Sequence, residues 1–123
     1  MARILIIDDD KDFGEITVRR LSYGGHKATF HHGPFGSVNA IRKGEFELVI
    51  LDISMPALNG AQIVQLIRET KGLEEVKILL YSGMDTESLR GEAAKLDVNS
   101  YLSKSASKDE LLAKIKQLLP KLS

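Results

Sequence analysis

Blocks of apolar and polar residues alternate along this chain and predict five short strands, each followed by a helix. The clearest strand is the apolar run Leu48 to Leu51, which has no polar alternation and is typical of a parallel strand buried on both faces. Similar runs predict strands at about residues 3–7, 27–30, 76–81 and 99–102. Regular alternation of strands and helices implies right-handed crossovers and one parallel sheet with helices on both faces.

Apolar residues at helical spacing, together with terminal signals, locate the helices. We predict helices at about residues 12–23, 37–44, 61–70 and 86–96, and a fifth helix that begins after Ser107 and ends before Pro120. Ser107 and Glu110 have the spacing of a capping box. Asp10 is assigned to helix capping or to solvent.

The segment between the second strand and the second helix has the weakest pattern. Glycine and proline between His31 and Gly36 predict a loop. In an extended segment the adjacent side chains of His31 and His32 point to opposite faces, so we predict that they fill the loop and do not act as paired ligands. Ser37 is the predicted cap of the second helix.

Length and composition limit the functions that remain open. The 123 residues predict one domain, residues 1–123, without a separate output domain. Basic and acidic residues balance at 17 each, which argues against direct binding of nucleic acid. The chain has no cysteine, so disulfides and thiolate chemistry are excluded. With no signal-peptide pattern and no apolar stretch long enough to span a bilayer, we expect a cytoplasmic protein that does not insert into membranes.

Polar side chains follow four of the five predicted strands. Asp8 and Asp9 follow the first strand, Asp52 the third, Ser82 the fourth and Lys104 the fifth. The carboxyl ends of parallel strands share one edge of the sheet, so these side chains are expected to meet there. Clustered carboxylates repel one another unless a cation lies among them, and oxygen ligands suit Mg²⁺. The sequence therefore predicts a magnesium site.

Asp52 is the predicted nucleophile of this site. A carboxylate can attack phosphorus to form an aspartyl phosphate, while a metal ion neutralises charge on the phosphoryl oxygens. An ammonium and a small hydroxyl, such as those of Lys104 and Ser82, can bind the remaining oxygens. Each residue alone has an ordinary structural explanation as a cap, a turn residue or a surface charge. Their convergence at one edge favours a functional site.

These residues resemble the receiver domain of two-component response regulators, and the resemblance covers the whole chain. It is carried by the acidic pair Asp8 and Asp9, the phosphoacceptor position Asp52 with Met55-Pro56 and Gly60 after it, the switch position Ser82-Gly83, the aromatic switch position Tyr101 and the lysine Lys104.

The resemblance implies a flavodoxin-like, doubly wound (βα)5 fold with strand order 2-1-3-4-5. It implies that Asp9, Asp52 and the backbone carbonyl of Ser54 ligate Mg²⁺ directly, and that Asp8 acts through a bound water. It also implies a histidine kinase or phosphotransfer protein as phosphodonor and a downstream protein as target. Ser82 and Lys104 would engage the phosphoryl group and reposition Tyr101. Such a receiver catalyses only its own phosphorylation and dephosphorylation.

One departure from the family concerns the residue after the lysine. Family members usually have a proline there, often after a cis peptide bond, whereas this chain has Ser105. A cis bond to a non-proline residue costs about 2.5 to 4 kcal/mol. The sequence leaves open whether the bond between Lys104 and Ser105 is cis or trans, and a trans bond would allow a different aim for the Lys104 ammonium.

Three other functions are compatible with parts of this pattern. A phosphatase of the haloacid-dehalogenase type would carry a second aspartate two residues after its nucleophile, where this chain has Ser54. A phosphate-binding flavodoxin-like or nucleotide module is disfavoured because Asp8 and its acidic neighbours would repel phosphate. The main alternative is a pseudo-receiver, an interaction module that works without phosphorylation. Ser105 is the feature that favours it.

Overall fold

Five parallel strands and five helices alternate along residues 2–54 and 60–120, the part of the chain that this computed structural model describes. The strands are β1 (Arg3–Asp8), β2 (Lys27–His32), β3 (Leu48–Leu51), β4 (Lys77–Ser82) and β5 (Ser100–Ser103). The helices are α1 (Lys11–Tyr23), α2 (Ser37–Gly44), α3 (Gly60–Glu69), α4 (Thr86–Lys95) and α5 (Lys108–Leu118). The sheet order is β2-β1-β3-β4-β5, so the predicted doubly wound, flavodoxin-like fold is confirmed.

The two faces of the sheet bury two separate layers of apolar side chains. Successive residues of a strand point to opposite faces, so Leu5 and Ile6 of β1 enter different layers. One layer packs against α2, α3 and α4 through residues such as Ile41, Ile63 and Leu89. The other layer packs against α1 and α5, with members that include Leu21, Leu111 and Ile115.

Strand β2 is longer than predicted, because His31 and His32 belong to it. They pair in register with Ile7 and Asp8 of β1. The backbone ladder therefore continues through polar residues that the sequence pattern assigned to a loop. Their imidazoles are not loop filling either: Nε2 of His31 lies 2.6 Å from the carbonyl oxygen of Phe35, and Nε2 of His32 lies 2.9 Å from that of Asp9.

The predicted cap of α2 is also wrong by one residue. Gly36 occupies the N-cap position with a left-handed φ of 75°, and Ser37 is the buried first residue of the helix. Glycine adopts this conformation without the steric cost that a Cβ would add. The turn is closed by the Ser37 amide, which donates to the carbonyl of Pro34 at 3.2 Å.

Two other predicted helix starts are confirmed. The Asp10 side chain caps α1 by accepting from the Phe13 amide at 3.0 Å. Ser107 and Glu110 form the reciprocal capping box of α5, with both hydrogen bonds at 3.1 Å. Met55 and Pro56, which belong to the motif after Asp52, lie outside the described residues. Among the residues that are described, no helix is long and apolar enough to cross a membrane.

Candidate functional site

The carboxyl edge of the sheet brings the predicted acidic residues together. Asp8 is the last residue of β1, Asp9 follows it, and Asp52 follows β3 directly. One carboxylate oxygen from each of the three lies within 4.8 Å of the others. Asp8 and Asp52 are buried, whereas Asp9 is exposed. An all-oxygen donor set of this kind fits a hard divalent cation such as Mg²⁺.

Lys104 lies between the two buried carboxylates. Its Nζ is 2.8 Å from Oδ2 of Asp8 and 2.9 Å from Oδ2 of Asp52, and 15% of its side chain is exposed. Burial alone lowers the pKa of Lys104, but the hydrogen bonds and charges of Asp8 and Asp52 outweigh burial and hold this pKa above its usual value. The ammonium is therefore charged at neutral pH.

Asp8 carries an electrostatic cost that Lys104 offsets only in part. Burial raises the pKa of its carboxyl group, while the bond from Lys104 and the amide of Asp10, which donates to Oδ1 at 3.0 Å, lower it. The net direction is upward, because desolvation is the largest cause. A second cation near Asp8 and Asp52 would relieve this cost.

Asp52 is held by three hydrogen bonds on different atoms. Its backbone amide donates to the carbonyl of Ile7 at 3.0 Å, at the end of the paired stretch of β1 and β3. Oδ1 accepts from the Ser54 amide at 2.8 Å, and Oδ2 accepts from Lys104. The carboxylate is thereby oriented by groups on two sides. The proposed metal contact of the Ser54 carbonyl stays a prediction.

Ser82 ends β4 beside Asp52, and its hydroxyl is already engaged. It shares a 2.9 Å hydrogen bond with the Ser54 hydroxyl and accepts from the Met84 amide at 3.2 Å. The side chain is fully buried. The hydroxyls of Ser54 and Ser82 therefore form a hydrogen-bonded pair on the side of the site next to β4.

Ser105 after Lys104 does not turn the lysine side chain away from the site. The Lys104–Ser105 peptide bond is trans, yet the ammonium still reaches both carboxylates. The Lys104 amide donates to the carbonyl of Ser82 at 2.8 Å, and the Ser105 amide donates to the Ser103 hydroxyl at 3.1 Å. These bonds hold the backbone on either side of the lysine without a proline.

Tyr101 stands apart from the acidic cluster. It lies on β5, half-buried against the layer that includes Leu89. Its hydroxyl accepts a hydrogen bond from Nε of Arg90 on α4 at 3.2 Å. The predicted switch residue is thus connected to α4, and its role in switching stays a prediction.

Sequence reasoning missed an aromatic residue of the site. The Phe13 ring lies next to Lys104, with Nζ 4.7 Å from the ring centroid. In the sequence, Phe13 is one apolar residue of the helix predicted at residues 12–23, a position that indicates only packing against the sheet. No local signal links it to a lysine at the other end of the chain, because the contact depends on how α1 crosses the sheet.

One protein family and several known proteins are similar to this chain in sequence. A family model described as the response regulator receiver domain matches residues 4–116. The transcriptional regulatory protein PcoR of Escherichia coli is 32% identical over 119 residues, which are 97% of this chain and 52% of PcoR. Response regulator MprA of Mycobacterium avium is 30% identical over 117 residues, 95% of this chain and 50% of MprA. The chain thus spans about half the length of these curated relatives.

Solved structures extend the comparison to the fold. The response regulator TrrA from Thermotoga maritima, crystallised in complex with Mg²⁺ and BeF, matches with a TM-score of 0.85 and 30% identity over 97% of this chain and 100% of that one. The chemotaxis protein CheY4 of Vibrio cholerae matches with a TM-score of 0.87 and 20% identity over 97% of this chain and 99% of that one. At this lower identity the likeness concerns the fold alone.

Proposed function

We propose, from the premise that this chain belongs to the response regulator receiver domain family, that it is a phosphorylation-dependent switch of a two-component system. Asp52 accepts a phosphoryl group from the phosphohistidine of a histidine kinase or phosphotransfer protein. The observation that supports this most directly is the placement of the buried Asp52 carboxylate between the Lys104 ammonium and the backbone amide of Ser54.

The transfer exchanges one bond to phosphorus for another. A carboxylate oxygen of Asp52 attacks the phosphorus, the bond from phosphorus to the donor imidazole nitrogen breaks, and that nitrogen keeps the electron pair. The Lys104 ammonium and the Ser82 hydroxyl, both within the site, bind phosphoryl oxygens as their charge develops. Water later attacks the phosphorus, which releases inorganic phosphate and restores the Asp52 carboxylate. The receiver catalyses these two steps on itself and acts on no other substrate.

Mg²⁺ fits the donor set on the same edge. We assign Asp8, Asp9, Asp52 and the Ser54 carbonyl as the groups that hold it, with Asp8 acting through a bound water. When bound, the ion supplies neutralisation of charge on the phosphoryl oxygens. The three carboxylates, against one ammonium, leave the site with an excess of negative charge that a divalent cation balances.

The signal passes to a protein partner. We propose that Ser82 and Lys104, once they bind the phosphoryl group, bias the position of Tyr101 and of the α4 surface that Arg90 connects to it. Because the charge of the chain is balanced, we propose no direct contact of this chain with nucleic acid. We place the protein in the cytoplasm without membrane insertion.

The test is the intact mass of the protein after incubation with acetyl phosphate and Mg²⁺. Wild type should gain the mass of one phosphoryl group, and a chelator should prevent the gain. Asp52→Ala should gain nothing, because it lacks the nucleophile. Asp109→Ala is the matched control, since Asp109 is an exposed aspartate in the first turn of α5, and it should be phosphorylated like wild type.

The opposite result would favour the pseudo-receiver. If folded wild type binds Mg²⁺ and still gains no phosphoryl group, the chain is an interaction module that does not use Asp52 chemistry. Ser105 was the feature that favoured this alternative. This feature carries less weight because the Lys104 ammonium reaches Asp52 although the Lys104–Ser105 peptide bond is trans.

A further inference from the structure

An aromatic ring forms one side of the Lys104 environment. The Nζ atom lies over the Phe13 ring, 4.7 Å from its centroid. This distance is well inside the limit of about 6 Å for a cation–π contact, and such contacts strengthen as the cation loses water. With 15% of the Lys104 side chain exposed, the ammonium meets that condition.

The ring is held in place by two neighbours on the same side of the sheet. Tyr81 of β4, which is fully buried, lies with its ring centroid 5.6 Å from that of Phe13 at an interplanar angle of 56°. Tilted pairs at this separation are favourable arrangements of aromatic quadrupoles. The Arg20 guanidinium lies 5.9 Å from the Phe13 ring centroid. We call the rings of Phe13 and Tyr81, together with the Arg20 guanidinium next to them, the aromatic cluster.

Arg20 connects the aromatic cluster to the backbone that carries Lys104. Its Nη1 donates to the Tyr81 hydroxyl at 3.1 Å and to the carbonyl of Ala106 at 3.3 Å. Ala106 follows Lys104 by two residues and lies in the same loop between β5 and α5. One guanidinium therefore fixes both the ring next to the ammonium and the loop from which the lysine side chain extends.

The contact with Phe13 differs from the other two contacts of Lys104. The proposed chemistry changes both carboxylate partners, since phosphorylation moves the negative charge of Asp52 from the carboxylate to the phosphoryl oxygens, and Asp8 is shared with the metal ion. The ring takes part in neither event. It is the neighbour that Lys104 can keep when its ionic partners change.

We propose that Phe13, held by Tyr81 and Arg20, is the positioning residue that keeps the Lys104 ammonium in the site during phosphoryl transfer. The proposal rests on the proposed function of Asp52. Without the ring, the flexible lysine side chain samples positions away from the phosphoryl oxygens, and positioning losses of this kind slow a transfer reaction.

The first test compares phosphorylation rates with acetyl phosphate and Mg²⁺ by intact mass. Phe13→Leu keeps an apolar side chain but removes the ring, and it should be about 3-fold to 30-fold slower than wild type. Phe13→Tyr keeps the ring and should restore most of the rate. The matched control is Phe46→Leu, because Phe46 makes the same type of contact, with Arg3 at 5.6 Å. Since Phe46 lies outside the site, this variant should react at the wild-type rate.

A double-mutant cycle separates positioning from a general structural effect. In a Lys104→Met background the ring has no ammonium to position, so adding Phe13→Leu should change the residual rate by less than about 2-fold. An equal slowing in both backgrounds would show that Phe13 acts independently of Lys104. A wild-type rate for Phe13→Leu in the Lys104 background would also overturn the proposal.

A spectroscopic readout tests the contact even if the chain accepts no phosphoryl group. Protons next to Nζ of Lys104 should show an upfield ring-current shift in NMR spectra, assigned by their loss in Lys104→Met. Phe13→Leu should abolish the shift, Phe13→Tyr should keep it, and addition of Mg²⁺ to wild type should leave it in place. Loss of the shift when Mg²⁺ binds would contradict the proposal. Failure of wild type to be phosphorylated, with the shift intact, would instead overturn only the function assigned to Asp52.

Discussion

Helices α1 and α4 border the site on opposite faces of the sheet, and α1 is packed more tightly than α4. Helix α1 buries Gly14, Thr17 and Leu21, and the Thr17 hydroxyl donates back to the carbonyl of Phe13 at 2.9 Å. Helix α4 buries one residue, Leu89, among those the structure describes. Elements with few buried apolar contacts open at lower free energy than the core.

Their glycines show the same difference. A Cβ on Gly14 would overlap the Phe30 ring, whereas a Cβ on Gly91 of α4 would meet nothing within 4 Å. Helix α1 therefore approaches β2 closely at Gly14, and no side chain larger than hydrogen fits there without movement. Helix α4 leaves open space at Gly91, where glycine only weakens the helix.

The tyrosines next to the two helices differ in the same direction. Tyr81 is fully buried, and burial raises the pKa of its phenol although the charge and hydrogen bond of Arg20 oppose this. Tyr101 is half-buried and has an exposed arginine as its partner. We call α1 with Tyr81 the α1 wall and α4 with Tyr101 the α4 wall. The α1 wall is more tightly packed and contacts Lys104, whereas the α4 wall is lightly packed, as the proposed element with two positions requires. Substitutions on each wall test this difference in packing.

The largest effect is expected for Gly14→Ala. Forcing a methyl group against the half-buried Phe30 ring should cost about 1 to 3 kcal/mol, and the better helix propensity of alanine offsets about 0.5 to 1 kcal/mol of this cost, so the free energy of unfolding should fall. Urea denaturation followed by circular dichroism measures the change. A loss smaller than that of Tyr81→Phe would mean that α1 can shift away from β2, and that the α1 wall is not tightly packed.

A moderate loss is expected for Tyr81→Phe. The variant keeps the ring against Phe13 but removes the acceptor of Arg20, which should lower the free energy of unfolding by about 0.5 to 1.5 kcal/mol. The same denaturation experiment gives the value. An unchanged stability would indicate that the bond from Arg20 to Ala106 alone secures the aromatic cluster.

A smaller change of opposite sign is expected for Gly91→Ala. Alanine should raise the free energy of unfolding by about 0.5 to 1 kcal/mol, because it improves helix propensity in open space. Gly14→Ala is the matched substitution on the other wall. If Gly91→Ala lowers the free energy of unfolding as Gly14→Ala does, α4 packs more tightly than the open space at Gly91 indicates.

The smallest effect is expected for Tyr101→Phe. Its hydroxyl bonds an exposed side chain, so removal should change the free energy of unfolding by less than about 0.5 kcal/mol. Denaturation of this variant beside Tyr81→Phe compares the two walls by the same deleted atom. If Tyr101→Phe costs as much as Tyr81→Phe, the contrast between the walls is wrong.

The sequence was sufficient for features that depend on local pattern. The apolar run Leu48 to Leu51 identified a central strand, and with it the position of Asp52 at the carboxyl edge. The capping box at Ser107 was correct because its partners lie within one turn. The polar end of β2 was missed, since pairing with β1 outweighed the loop signals of His31 and His32.

The pattern of apolar and polar residues could not predict contacts between elements that are distant in the sequence. Nothing near Phe13 in the sequence indicates that its ring lies next to Lys104, or that Arg20 reaches the carbonyl of Ala106. Ser105 left the aim of the lysine open. The compensating bond from the Lys104 amide to the carbonyl of Ser82 becomes visible only once β4 and β5 are paired.

The ion pairs of Lys104 also bear on how tightly the site binds a cation. A tethered ammonium acts as a competitor at high effective concentration, so Mg²⁺ must displace it, at least in part, from Asp8 and Asp52. Measured affinity is then the difference between binding the metal and releasing the lysine. Lys104→Met should bind Mg²⁺ more tightly than wild type by titration calorimetry, even though the proposed mechanism expects it to accept a phosphoryl group more slowly. The lysine that supports the chemistry would thus keep the metal exchangeable.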